Sequence, residues 1–378
     1  MTIAPAADGS DQADALQKAI NSLRAGQRLV IAPGRYVVGH SLAVTVPQAV
    51  ISGYGATLAA TNPADQTIVM SGTGSTLVGV TLVGTGTTRL TTVESTKVEV
   101  TGTDVQVLGV TIQGGASAGI FVYGGSGVAI VGNTVRATLA DGIHTTHGST
   151  NVLVQNNTVT GTGDDLIAVV SYLRDGRLSS NVLIDRNAVS GNPWGRGISV
   201  VGGQGVTISN NTVDGVQKAA GILVAQEDSW QTYGASNVVI KGNTVTNIQN
   251  SAVNNGLQAT QQAAIELDTW SGTDSGSGTV SDVAVADNRV SGAGYAGFRA
   301  YGNVCAFSVT ENTFASIVGL PVQLLTNGCA ASQIVVDANL LGEGTALALP
   351  AGASLTGALA VTGANASLMP QVRAALMQ

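Results

Sequence analysis

Short runs of alternating apolar and polar residues recur along this chain, separated by glycine and asparagine turns. The clearest set reads Gly119-Ile120-Phe121-Val122, Gly142-Ile143-His144-Thr145, Leu166-Ile167-Ala168-Val169, Gly197-Ile198-Ser199-Val200, Gly221-Ile222-Leu223-Val224, Ala264-Ile265-Glu266-Leu267 and Gly297-Phe298-Arg299-Ala300. Period-two alternation rich in β-branched residues predicts strands with one apolar face. A second short strand is expected before a recurring asparagine, as in Val128-Ala129-Ile130-Val131 and Val206-Thr207-Ile208-Ser209.

The asparagine opens a third element: Asn133-Thr134-Val135, Asn157-Thr158-Val159, Asn187-Ala188-Val189, Asn211-Thr212-Val213, Asn243-Thr244-Val245, Asn288-Arg289-Val290, Asn312-Thr313-Phe314 and Asn339-Leu340-Leu341. Its steps are 24, 30, 24, 32, 45, 24 and 27 residues, so the unit is 24 and the longer steps carry insertions. Earlier rungs place Val80 and Val110 where the asparagine would stand. Three short strands per unit cannot bury a face alone, but stacked units bury a continuous core and pair each strand with the next rung. The expectation is an all-β, right-handed parallel β-helix with about 24 residues per rung, and an asparagine ladder at one bend.

Residues 1–378 read as a single domain. Its ends need covers, because an open sheet edge invites another chain. Residues 1–25 are expected to form an N-terminal cap. There a helix from Asp11 to about Leu23, begun by Ser10, has an apolar stripe of Ala15, Leu16, Ala19, Ile20 and Leu23. Residues 365–378 could supply a second cap.

Composition narrows the function. Only 10% of the 378 residues are charged, against roughly 25% in an ordinary globular domain, and glycine occurs 50 times. A net charge of −7 without a basic run argues against nucleic acid. No apolar stretch reaches the roughly 18 residues of a membrane span. The opening Met1-Thr2-Ile3-Ala4-Pro5 reads as a mature segment, and a secreted or periplasmic location is expected. Cys305 and Cys329 lie one repeat unit apart, so they are expected to be near neighbours on adjacent rungs, as a disulfide or as two buried free thiols.

The insertions fall beside the first set of strands, at 170–180, 225–236, 250–262 and 268–280, where they would rise on one side and wall a groove. Trp194, Trp230 and Trp270 lie in or beside them, with Tyr172 and Tyr233, and flat amphipathic rings of this kind suit stacking on sugars. Two residues before the strand isoleucines stand Asp141, Asp165 and Arg196 on successive rungs, with Asp164 adding a third carboxylate. One residue after them stand His144, Ala168, Ser199, Leu223, Glu266 and Arg299, expected to point into the groove. Carboxylates this close raise one another's pKa, which sets a proton donor beside an ionised base.

The stretches Asp141-Gly142-Ile143, Gly163-Asp164-Asp165-Leu166-Ile167-Ala168 and Gly195-Arg196-Gly197-Ile198-Ser199 resemble motifs of the pectin-lyase-like superfamily. Within it, they are similar to those of polygalacturonase-type glycoside hydrolases and relatives that cut neutral α-glucans. The resemblance implies Asp165 or Asp164 as general acid, Asp141 with the remaining aspartate as base on a water, and inversion at the anomeric carbon. Two departures matter. Arg196 stands where the family has histidine, and the apolar Ala220-Gly221-Ile222-Leu223 falls where polygalacturonases carry the cations that grip galacturonate.

A hydrolase acting on a polysaccharide or oligosaccharide other than galacturonan is therefore the leading expectation. Asp141, Asp164 and Asp165 would be catalytic. His144, His147, Arg196, Trp194, Glu227, Trp230, Tyr233, Glu266, Asp268, Trp270 and Arg299 would bind substrate. The alternatives are a lyase or epimerase on a uronate polymer, using His144 or His147 as base and Arg174, Arg177, Arg196 or Arg299 as cation, a transglycosylase, or a non-catalytic carbohydrate-binding solenoid. No cofactor and no metal are expected.

Overall fold

The computed structural model describes residues 1–269, 276–327 and 330–342. Three parallel sheets of 13, 12 and 11 strands run the length of the molecule and form a right-handed parallel β-helix. Each strand pairs with its counterpart one rung before and one rung after. Ile120, Ile143, Ile167, Ile198, Ile222, Ile265 and Phe298 stand in one continuous register. Their side chains are buried in a single core of Val, Ile and Leu that fills the solenoid.

Glycine before the isoleucine is a requirement of the corner. A Cβ on Gly142, Gly197 or Gly221 would stand 2.3, 2.4 and 2.6 Å from the methyls of Val159, Val213 and Val245, so the corner can close only without one.

The asparagines from Asn133 to Asn339 form the predicted ladder. Asn133 Nδ2 donates to Asn157 Oδ1 at 2.9 Å, Asn157 to Asn187 at 2.9 Å, and Asn187 to Asn211 at 3.0 Å. The chain continues through Asn243, Asn288 and Asn312 to Asn339. Each Oδ1 also accepts the backbone N–H of the asparagine before it. Buried amides thus satisfy each other and the turn, as a closed core demands. Val80 and Val110 continue the column as buried apolar groups.

The N-terminal helix is shorter than expected, Ala13–Asn21, and Ser10 does not cap it. Asp11 takes that role: its Oδ1 accepts from the N–H groups of Ala13 and Gly39, tying helix start to first rung. Leu16, Ala19 and Ile20 lie buried over the core as a lid. Cys305 is disulfide-bonded. Cys329 and the second cap at 365–378 lie outside the described residues.

Candidate active site

The site is built on the outer face of the 11-stranded sheet, along the strands Ile143–Thr146, Ile167–Val170, Ile198–Val201, Ile222–Ala225 and Ile265–Asp268. The insertions do not all rise from one corner. Segments 170–180 and 225–236 follow their strands and zip together: Tyr172 bridges Thr232 antiparallel, Leu173 N–H donates to Gln231 O at 2.8 Å, and Tyr233 N–H donates to Ser171 O at 2.9 Å. The opposite wall precedes the strands and comes from 84–96, 192–196 and 250–262. Repeat logic placed the insertions but not their corner, because a longer loop can enter before or after the same strand.

Asp141, Asp164 and Asp165 converge, with one oxygen of each lying within 4.8 Å of the others. Among the described residues this is the one group of His, Cys or carboxylate side chains packed closely enough to hold a cation. They line a cleft of about 340 Å³ with Arg89, His144, Tyr172, Trp194, Arg196 and Trp230.

Each aspartate has a different environment. Asp165 is buried. Its Oδ1 accepts the Arg196 backbone N–H at 2.6 Å and its Oδ2 the Ser199 hydroxyl at 2.5 Å. Gly195 makes that approach possible, since a Cβ there would lie 2.6 Å from Asp165 Oδ1. Burial pushes the Asp165 carboxyl up to about 7, with the charges of Asp164 and Asp141 adding to the rise and Arg196 opposing it. Asp164 opens further to solvent and accepts from Arg89 Nη1 at 2.7 Å. Burial and the Asp141 charge raise its pKa, and Arg89 offsets part of the rise. Asp141 accepts a short hydrogen bond from His144 Nδ1.

Arg196, in the place of the resemblance's histidine, spans two carboxylates: Nη2 lies 2.6 Å from Glu227 and Nη1 lies 3.9 Å from Asp165. The loop presenting it is folded by Asn192, whose Oδ1 accepts the N–H groups of Trp194 and Gly195 at 2.8 Å. Trp194 and Trp230 are 58% and 65% exposed, far above the norm for tryptophan. Lys218 Nζ sits 3.2 Å from the Trp194 ring centroid, covering one face.

Several expected site residues land elsewhere. His147 stacks on Tyr123, with centroids 4.0 Å apart, and pairs with Asp175 at 3.1 Å, outside the cleft lining. Tyr233 supplies a backbone bond between the two zipped loops and its side chain does not line the cleft. Glu266 is fully buried under Arg299, whose Nε donates to it at 2.7 Å, so it cannot touch substrate directly. Burial drives its carboxyl up to about 8. Ala168 and Leu223 point outward as predicted, but the walls cover them and they form a small apolar cluster with Ala220 and Ala225. Asp268 and Arg299 line a second pocket, and Trp270 lies outside the described residues.

Arg89 and Lys218 are contacts that sequence reasoning did not assign to the site. Arg89 is 75 residues from Asp164 and sits in a segment without repeat features, so no signal in the chain points to it. Ser199, expected in the groove from its register with Ala168, meets Asp165 there.

A family model described as "Right handed beta helix region" matches residues 84–174 and 171–340. No curated protein matches the chain in sequence. Solved structures do match in fold. The catalytic domain of a GH87 alpha-1,3-glucanase, an aspartate-to-alanine variant in complex with tetrasaccharides, is 16% identical over 96% of this chain and 68% of that chain, with a TM-score of 0.66. The catalytic unit of a thermostable GH87 alpha-1,3-glucanase from Streptomyces thermodiastaticus is 16% identical over 95% and 68%, with a TM-score of 0.59. The A-module of the Azotobacter vinelandii mannuronan C-5 epimerase AlgE4 is 18% identical over 85% and 96%, with a TM-score of 0.60. At these identities the likeness is one of fold.

Proposed function

The chain belongs to the right-handed beta helix family, and on that scaffold we propose that it is a secreted carbohydrate-active enzyme, a glycoside hydrolase acting on a neutral polysaccharide. The observation that carries this reading is the meeting of Asp141, Asp164 and Asp165 in a cleft beside exposed tryptophans. Like charges this close retain a proton near neutrality, and a retained proton beside an ionised carboxylate is what glycosidic cleavage needs.

Asp164 is the general acid, since it is the member of the cluster that opens to the cleft and its pKa is raised. Arg89 steadies it. Asp165 accepts on both oxygens, from Arg196 N–H and Ser199, and Asp141 is held on Oδ2 by His144. They are suited to hold a water between adjacent rungs and take its proton, which gives inversion. The carboxylates lie closer than the roughly 6.5–9.5 Å usual for inverting enzymes, so the anomer released first is the decisive readout of this step. It can be followed by proton NMR.

The charge pattern supports a neutral substrate. The Arg and Lys residues lining the cleft each face a carboxylate or a ring: Arg89 on Asp164, Arg196 on Glu227, Lys218 on Trp194. A uronate would have to break one of these pairings. The epimerase or lyase alternative rests on His144 as base, because His147 is outside the cleft lining. Product analysis over neutral and uronate polysaccharides separates the readings: new reducing ends without ultraviolet absorbance mean hydrolysis, an unsaturated product means elimination, and a changed uronate epimer ratio without cleavage means epimerisation.

A further inference from the structure

The groove does not end at the carboxylates. A second pocket of about 380 Å³ shares Arg196, Glu227, Trp230 and Thr260 with the first, so the two are one continuous trough. Its far end is lined by Asp268 and Arg299. Arg299 stands four rungs beyond the Asp165 rung in unbroken register. At the usual strand spacing that is roughly 19 Å along the axis, a span of several sugar rings.

Arg299 is held as a recognition group is held. Glu266, buried beneath it, accepts from its Nε at 2.7 Å, and the guanidinium carbon lies 5.4 and 5.3 Å from the ring centroids of Tyr295 and Tyr301. Among the described residues only Nε is bonded, which leaves the terminal nitrogens for a ligand. A fixed fork of donors loses little entropy on binding. Trp230, at the tip of the short helix Asp228–Trp230, overhangs the junction of the two pockets with most of its ring in solvent. An exposed ring beside a rigid donor and a carboxylate is the chemistry that recognises a pyranose, with apolar face on the ring and hydroxyls on the charged groups.

We propose that Trp230, Asp268 and Arg299 form a distal subsite that binds a hydroxyl-bearing ring of a neutral glycan while the carboxylates act several units away. The sugar chemistry rests on the function proposed above, and the subsite makes the enzyme a reader of chains rather than of disaccharides. Trp230 is the hinge of the trough: it touches both pockets, so its loss shortens the grip from the far end.

The test is calorimetric titration of the full chain carrying Asp164→Asn, to prevent turnover. The probes are ladders of neutral glucan and mannan oligosaccharides from two to about eight units, with oligouronates of matching length. Affinity for at least one neutral ladder should climb with length. Trp230→Ala and Arg299→Gln, each added to that background, should remove about three- to tenfold of the affinity for the long members and little for the disaccharide. Arg299→Gln leaves the buried Glu266 without its partner, so Trp230→Ala, at an exposed side chain, is the variant that keeps the test intact if the first fails to fold. A climb that both variants retain, affinity independent of length, tighter binding of the oligouronates, or no binding by any ladder overturns the subsite. If length-dependent binding is present and sensitive to Trp230, while the unsubstituted enzyme releases no reducing ends from the same chains, the hydrolase reading falls and the subsite stands.

Discussion

Two columns of polar side chains run up this solenoid, and they behave in opposite ways. At one bend, eight asparagines from Asn133 to Asn339 repeat the same pair of hydrogen bonds rung after rung. On the outer face of the 11-stranded sheet, Asp141, Asp165 and Arg196 occupy equivalent positions on successive rungs, and no two of them are satisfied alike. An amide carries donor and acceptor together, so stacking identical amides satisfies both. A carboxylate only accepts, so stacking carboxylates creates repulsion that must be met by protons or by cations brought from elsewhere. The neutral column is therefore self-sufficient. The charged one depends on Arg89, His144, Ser199 and Arg196.

That contrast can be broken most sharply at the carboxylates. Asp164→Asn keeps shape and removes the transferable proton, so hydrolysis on the best polysaccharide should fall by about 10²–10⁴-fold. The melting temperature should hold or rise, because one like charge is gone. Near-wild-type kcat in both Asp141→Asn and Asp164→Asn would end the catalytic assignment.

The mirror experiment is Asn211→Ala. It strips the acceptor from Asn187 N–H and Nδ2 and the donor from Ile184 O. Buried groups left unpaired cost about 1–3 kcal/mol each, so denaturant unfolding should show a loss of at least about 3 kcal/mol. Activity per folded molecule should be preserved. A ladder variant that is stable but inactive would show that the bend and the site are coupled.

The pH profile tests the proton itself. Asp165 has a pKa of about 7 in the folded chain and Glu266 about 8, both above the ordinary carboxylate range because of burial. The folded state thus binds more protons than the unfolded state between about pH 4 and these values. Stability is full below that window and declines as pH rises through 7 to 8. Thermal melts should show the decline, and Asp165→Asn should flatten part of it; kcat should fall on the alkaline side as Asp164, whose pKa is raised by burial and by the Asp141 charge, loses its proton. A melting temperature that rises from pH 5 to 8 would contradict the assignment.

The smallest effect is expected at Lys218. Its ammonium over Trp194 is worth about 0.5–1 kcal/mol at an exposed site. Lys218→Met frees one face of the ring and should change KM by no more than roughly fivefold, with kcat unmoved, in steady-state assays on the same substrate.

Much of the molecule was legible in the chain because rungs are local and identical. A repeat of 24 residues with one asparagine and one Gly-Ile corner per turn determines which residues are neighbours on adjacent rungs. The register of Ile143, Ile167 and Ile198, and with it the meeting of Asp141 and Asp165, follows from that arithmetic. The N-terminal helix was found by its apolar stripe, but its cap was misplaced because Ser10 and Asp11 are both good capping residues. Only contact with Gly39 of the first rung selects Asp11.

What tertiary structure decided lies in the insertions, which escape the repeat. Whether an outward residue is a groove floor or a covered core depends on the loop above it. Ala168, Leu223 and Glu266 shared a predicted face with His144, yet the walls bury the first two and Arg299 covers the third. His147 was drawn away by Tyr123 and Asp175. Arg89 arrived at Asp164 from 75 residues away. Stacking energies are set by neighbours one rung apart and can be read from periodicity. Loop positions are set by contacts whose sequence separation has no period, so only the folded chain could place the cations that let three carboxylates share one cleft.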